Sequence, residues 1–259
     1  MRVYLMLSSD VMYKPRLLAD LLVHKEDSIC GVAEVQNRRR RRGGLRNLWR
    51  NLGFWGVRGA AWLKVEEAFR KALNSWPVPS HLRNFASLKR VCAAFGVEYR
   101  DVSDVNDSRF LEHIRSLKPD IILSFQHQIF GSELLSLPTV ACVNCHPAML
   151  PEYRGVKPIF WAMRDDADRI GVTVHTMTPE IDQGAIVAQR WFRVRNDRTL
   201  LENYRLAYDL AATVILEAID ELESSETRRS LKMPDSATYY KFPTPTEIDG
   251  FRRLGKRVA

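Results

Sequence analysis

Residues 139–147, TVACVNCHP, most limit how this chain can fold. Within them residues 139–143, a short β-branched apolar run set between Pro138 and a polar cluster, suit a strand covered on both faces. Residues two apart in extended backbone point to the same side, so Asn144 and His146 face one cleft together. Pro147 lacks an amide donor and ends the pairing. Both polar side chains are thereby left just past the strand, at the carboxyl edge of a sheet. Open α/β sheets bind their ligands at that edge.

The flanking segments supply the rest of a sheet. Residues 2–8 read as a buried strand, 14–24 as a helix with Leu17, Leu18, Leu21 and Leu22 on one stripe, and 28–35 as a second strand. This is a βαβ opening. No Gly-x-Gly-x-x-Gly follows the first strand, so a dinucleotide is not supported. Strands are also expected over 97–99, 121–125, 170–177 and 185–194, the last open to an antiparallel return. Helices are expected over 80–95, 106–117 and 199–224, and a further one opens at Pro158 and carries Phe160, Trp161 and Met163 inward. From residue 225 the chain reads as polar and loop-like. The fold class is α/β, a Rossmann-like, mostly parallel sheet with helices on both faces. Residues 1–195 form the main domain, with a basic helical insertion at about 38–76, and 196–259 a helix and tail packed on it.

The net charge of +8 is local. Residues 38–71 hold eleven Lys/Arg against two Asp/Glu, while the remainder holds 28 against 29. Trp49, Phe54, Trp55, Trp62, Val65 and Phe69 alternate with the arginines at loosely helical spacing. Such a segment can lie on an anionic membrane, grip phosphates, or form a helical hairpin whose apolar face covers the core while its arginines are solvated. A protein acting on RNA or a membrane surface through this segment is therefore the non-enzyme alternative. No apolar run approaches the roughly 20 residues of a spanning helix. The first residues lack the basic start and cleavage site of a signal peptide, so a cytoplasmic protein is expected. Cys142-Val-Asn-Cys145-His146 satisfies C-x-x-C-H, the haem-attachment pattern, and C-x-x-C, the redox pattern. Two small buried thiols in a strand are preferred to either, and without a further ligand cluster no metal is expected.

Asn144-x-His146-Pro147 is followed by Leu150-Pro151-x-Tyr153-Arg154-Gly155 and Pro158-x-x-Trp161-Ala162. Gly171-Val172-Thr173-Val174-His175 and Ile181-Asp182-x-Gly184-x-Ile186 come next. In this order the motifs resemble the formyltransferase family that uses 10-formyltetrahydrofolate. The resemblance is clear over about residues 118–190. It implies a catalytic trio of Asn144, His146 and Asp182. It also implies a pterin pocket lined by Phe125, Gln126, Gln128 and Ile129 with Pro179, Glu180 and Ile181, largely through main-chain groups. Tyr153, Arg154 and Lys157 would face the acceptor.

Moving a formyl group to an amine develops negative charge on a carbonyl oxygen, where Asn144 and His146 can donate hydrogen bonds. Asp182 is suited to orient His146 and to accept the proton the amine loses. The expected acceptor is a small-molecule amine, first a nucleotide-linked amino sugar, because too little chain remains for the β-barrel domain of the transfer RNA formylases. Methionyl-tRNA is the second expectation and hydrolysis of the folate the third. A homodimer is left open.

Overall fold

The computed structural model describes residues 1–10, 13–36, 44–75, 87–194, 197–224 and 238–259. The arginine run at 38–42 and the expected helix start at 80–86 lie outside them. Seven strands form one sheet: β1 (Val3–Ser8), β2 (Ile29–Val35), β3 (Tyr99–Val102), β4 (Ile121–Phe125), β5 (Ala141–His146), β7 (Arg169–Thr176) and β8 (Ile186–Arg193). Their order is β3-β2-β1-β4-β5-β7-β8. The first five are parallel, β7 runs antiparallel to β5, and β8 antiparallel to β7. This is the mostly parallel α/β sheet expected from the sequence.

The period of two along β1 divides the interior in two. Val3, Leu5 and Leu7 enter a core with helices α1 (Lys14–Lys25), α3 (Leu88–Phe95), α6 (Pro158–Arg164) and α7 (Leu200–Glu223). Tyr4 and Met6 enter the opposite core with α4 (Ser108–Leu117) and the short α5 (Ser132–Leu135). Asp107 caps α4 by accepting from the amides of Arg109 and Phe110, which aims Phe110, Leu111 and Ile114 at the sheet. Helix α7 opens on a Thr199/Glu202 capping box and buries Ala207, Ala211, Val214, Ile215 and Ala218. Among the described residues no helix is long and apolar enough to cross a membrane.

Several expectations are corrected. Strand β5 does not stop at Val143 but continues through Asn144 to His146, because β7 offers it partners as far as Thr173. Residues 97–99 are not the third strand. Gly96 adopts a left-handed C-cap (φ 69) and the Val97 amide bonds back to Cys92 O, ending α3, so pairing begins at Tyr99. Cys142 and Cys145, by contrast, are the buried strand thiols expected from the sequence: they are free and lie in opposite cores, and burial pushes both up to about 12, which does not suit a redox pair.

The tail is not loop-like throughout. Residues Tyr239–Tyr240 form β9, paired with β6 (Arg154–Gly155), and Pro245–Arg253 form α8, opened by a Thr244/Glu247 capping box. Only Ile248 and Phe251 are buried on α8, too few apolar residues to signal a helix.

The insertion contains the helical run α2 (Gly44–Ser75), broken at Gly56 (φ 71, ψ 167). Phe54, before the break, is fully buried against Phe160 and Phe242. Trp62, Val65 and Phe69, after it, are 48%, 67% and 60% exposed. The apolar side of this segment therefore covers the core around the break and not along its length.

Candidate active site

Register puts Asn144 of β5 opposite His175 of β7, and His146 opposite Thr173. The Asn144 amide nitrogen lies 3.4 Å from His175 Nε2. Thr173, fully buried, donates its hydroxyl to Ala148 O at 2.7 Å and accepts from the Leu150 amide, which fixes the turn that leaves β5. Asp182 comes from the connection between β7 and β8. That connection folds back tightly: a Cβ on Gly184 would sit 1.5 Å from Thr176 O, so only glycine fits. Asp182 itself has φ 53, a left-handed conformation that Asp tolerates. Its Oδ2 lies 3.9 Å from His146 Nδ1 and its Oδ1 3.7 Å from His175 Nε2.

The carboxylate is anchored by the Gly155 amide, which donates to Oδ2 at 2.9 Å. His146 Nε2 faces Tyr153 O at 3.4 Å and its Nδ1 lies 3.9 Å from the carboxylate, so neither ring nitrogen is held by a short hydrogen bond. The expected trio is thus brought together, and His175 joins it. Burial, and secondarily the neighbouring His146, push the His175 pKa down to about 4, with Asp182 opposing the shift. The ring is neutral near pH 7. Its Nδ1 donates to Thr176 O at 2.8 Å, which leaves Nε2 as an acceptor for the Asn144 amide.

His175 was visible in the sequence only as part of the Gly-Val-Thr-Val-His string; its place beside Asn144 depends on strand register. Lys14 had no sequence signal either. At the carboxyl ends of β1 and β4 its ammonium is buried, donates to Ser8 Oγ at 2.9 Å and to Phe125 O, and lies 3.9 Å above the Phe125 ring. Burial pushes its pKa down to about 8, with Asp10 opposing.

The other expected residues fall into three settings. Phe125 is buried and stacked on Tyr208 at 5.2 Å. Gln126 and Gln128 use their side chains within the protein, Gln126 on the main chain of Gln128, and Gln128 on Gln36 O, Ser103 O and the Val105 amide. Ile129, Pro179, Glu180 and Ile181 are exposed, on two loops that flank β5. Exposed Ile129, Pro179 and Ile181 with the Glu180 carboxylate, beside loop main chain, are the kinds of group a flat, hydrogen-bonding heterocycle such as a pterin would need.

Of the residues expected to face the acceptor, Tyr153 (φ 56) stacks on Tyr240 at 5.7 Å, and Arg154 has a buried Nε without a hydrogen-bond partner. Lys157 (φ 62) turns its ammonium toward Phe54, Trp55 and Tyr204 at 5.0, 5.1 and 5.6 Å. Among the described residues no set of three or more His, Cys, Asp or Glu is arranged to hold a metal.

A family model described as "Formyl transferase" matches residues 76–219. The methionyl-tRNA formyltransferase of Thermotoga maritima is 30% identical over 153 residues, 59% of this chain and 49% of that protein. The chain spans about half the length of the curated relatives it matches, or less. In structure, a sugar N-formyltransferase from a Shewanella species aligns with a TM-score of 0.56 at 17% identity, over 98% of this chain and 88% of its own. Phosphoribosylglycinamide formyltransferase from Bacillus halodurans aligns at 0.58 and 15% identity, over 87% and 97%. Both likenesses concern the fold.

Proposed function

We propose that this chain, which belongs to the formyl transferase family, transfers a formyl group from 10-formyltetrahydrofolate to a primary amine. The observation that carries this is the convergence of Asn144, His146, His175 and Asp182, with contacts of 3.4, 3.9 and 3.7 Å, at the end of β5. The bound folate would supply a formyl carbon whose oxygen gains negative charge as the amine attacks. Asn144 Nδ2 and a ring N–H of His146 donate to that oxygen. Neutral His175 accepts from the Asn144 amide and so turns it toward the cleft. Asp182 orients His146 and accepts the proton the amine loses, directly or through a water, and that proton passes to the folate nitrogen as its bond to the formyl carbon breaks. Phe125, Gln126, Gln128 and Ile129 with Pro179, Glu180 and Ile181 would hold the pterin, and Tyr153, Arg154 and Lys157 would face the acceptor.

The acceptor we assign first is the amine of a nucleotide-linked amino sugar, in keeping with the sugar enzyme that aligns over 98% of the chain. Methionyl-tRNA is the second reading, favoured by the Thermotoga maritima relative and by the basic segment.

The test is incubation with the formyl donor and a panel of amino-sugar nucleotides, free amino acids and charged tRNA, following deacylated folate. Release dependent on an amino-sugar nucleotide is expected. Dependence on charged tRNA selects the second reading, and release without any amine means hydrolysis. No release with any partner overturns formyl transfer. Loss of function on changing Arg38 to Arg42, with His146→Ala neutral, would instead place function in the basic segment.

A further inference from the structure

The tail segment 238–240 lies more than 80 residues beyond the loop 153–156 yet is bonded to it at every step. Arg154 N donates to Thr238 O at 3.0 Å and Val156 N to Tyr240 O at 2.9 Å. Tyr153 N donates to the Thr238 hydroxyl at 3.1 Å. Between these, the Gly155 amide points the other way and holds Asp182 Oδ2 at 2.9 Å. Alternation in extended chain makes the two bond sets one object: a loop pinned to the tail on one edge presents its intervening N–H to the carboxylate on the other.

Two further contacts tighten the arrangement. Tyr240 is stacked between Tyr153 at 5.7 Å and Trp161 at 4.7 Å, and the Trp161 indole N–H donates to Val156 O and Lys241 O, tying loop and tail together. Gly155 has φ 95, and a Cβ there would lie 2.3 Å from Tyr240 O, so loop and tail approach as closely as glycine permits. Tyr153 also supplies the carbonyl that faces His146 Nε2.

We infer that the tail strand is the positioning element of the catalytic pair: Thr238 and Tyr240 set the loop whose Gly155 amide and Tyr153 carbonyl place Asp182 and His146. Its catalytic consequence rests on the formyl-transfer function proposed above, whereas the positioning itself does not. Neither Thr238 nor Tyr240 reaches the reacting groups, and each acts through the loop main chain.

The test uses the full chain in four variants, Tyr240→Ala, Tyr240→Phe, Thr238→Val and Thr238→Ser. The Gly155 amide is read by NMR chemical shift and hydrogen exchange, and kcat and KM are read in the transfer assay. In Tyr240→Ala and Thr238→Val the Gly155 amide signal is expected to leave its carboxylate-bonded position and exchange faster. Turnover should fall about tenfold or more with the donor KM within about twofold, since misplaced catalytic groups cost turnover before binding. Tyr240→Phe, which keeps the stack, and Thr238→Ser, which keeps the hydroxyl, should behave as the parent.

A Gly155 amide unchanged in folded Tyr240→Ala and Thr238→Val overturns the proposal, as does a loss of turnover that only follows the loss of folded protein. Should Tyr240→Ala fail to fold, the milder Thr238 pair decides alone. A parent chain that transfers no formyl group defeats the proposed function, and the amide measurement still decides the positioning.

Discussion

Burial sets the charge of His175, and that charge state sets which way the Asn144 amide can turn. Three consequences belong at this scale. Removing a proposed oxyanion donor in Asn144→Ala or His146→Ala should lower turnover on the order of 100-fold or more, measured as deacylated folate released. Asp182→Asn keeps the shape but cannot take a proton, and a loss at least as large is expected in the same assay.

The third consequence is for stability. His175 titrates from 6.5 when unfolded to about 4 when folded, so between those values the unfolded chain binds a proton that the folded protein refuses. Its stabilising contribution is complete above about pH 6.5 and falls away as pH drops toward 4. Urea unfolding at several pH values should show that slope in the parent and a shallower one in His175→Gln. Asn144 and His146 were legible because a two-residue spacing in a strand is a local rule. His175 was not, since its neighbour is 31 positions away in sequence.

Elements separate according to what covers them. Phe54 is enclosed by Trp55, Phe160 and Phe242, so Phe54→Ala should cost about 3–5 kcal/mol in urea unfolding. Phe69, 60% exposed on the far side of the Gly56 break, should change stability by less than about 0.5 kcal/mol on replacement by Ser. The sequence could not divide that segment, because aromatic residues stand on both sides of a single glycine whose φ decides the direction. Helix α8 shows the opposite limit. Its Thr244/Glu247 cap was present in the sequence, but a nine-residue helix with two buried side chains carries almost no periodicity. Thr244→Ala should cost about 1 kcal/mol and lower Tm by about 2–4 °C for a chain of this size.

Across the whole molecule, the sheet separates two cores and the tail closes the larger one. Phe251 of α8 is fully buried and stacked on Phe160 at 4.7 Å. Lys256, itself buried, bonds Met163 O and Asp166, and the amides of Leu200 and Leu201 bond Arg257 O and Val258 O. The C-terminal residues are therefore built into the interior beside α6 and α7.

The sequence by itself determined most strands of the main sheet, the α/β class and the placing of Asn144 and His146 on one side of a sheet edge, because strand period, proline and capping rules act over a few residues. Only the tertiary structure decided that His175 stands beside Asn144, that Asp182 reaches His146 from another loop, and that Thr238 to Tyr240 run along the loop behind them. Those contacts join segments 31 to 85 positions apart. Their geometry is set by sheet register and by close backbone approach at Gly155 and Gly184, which no local pattern encodes.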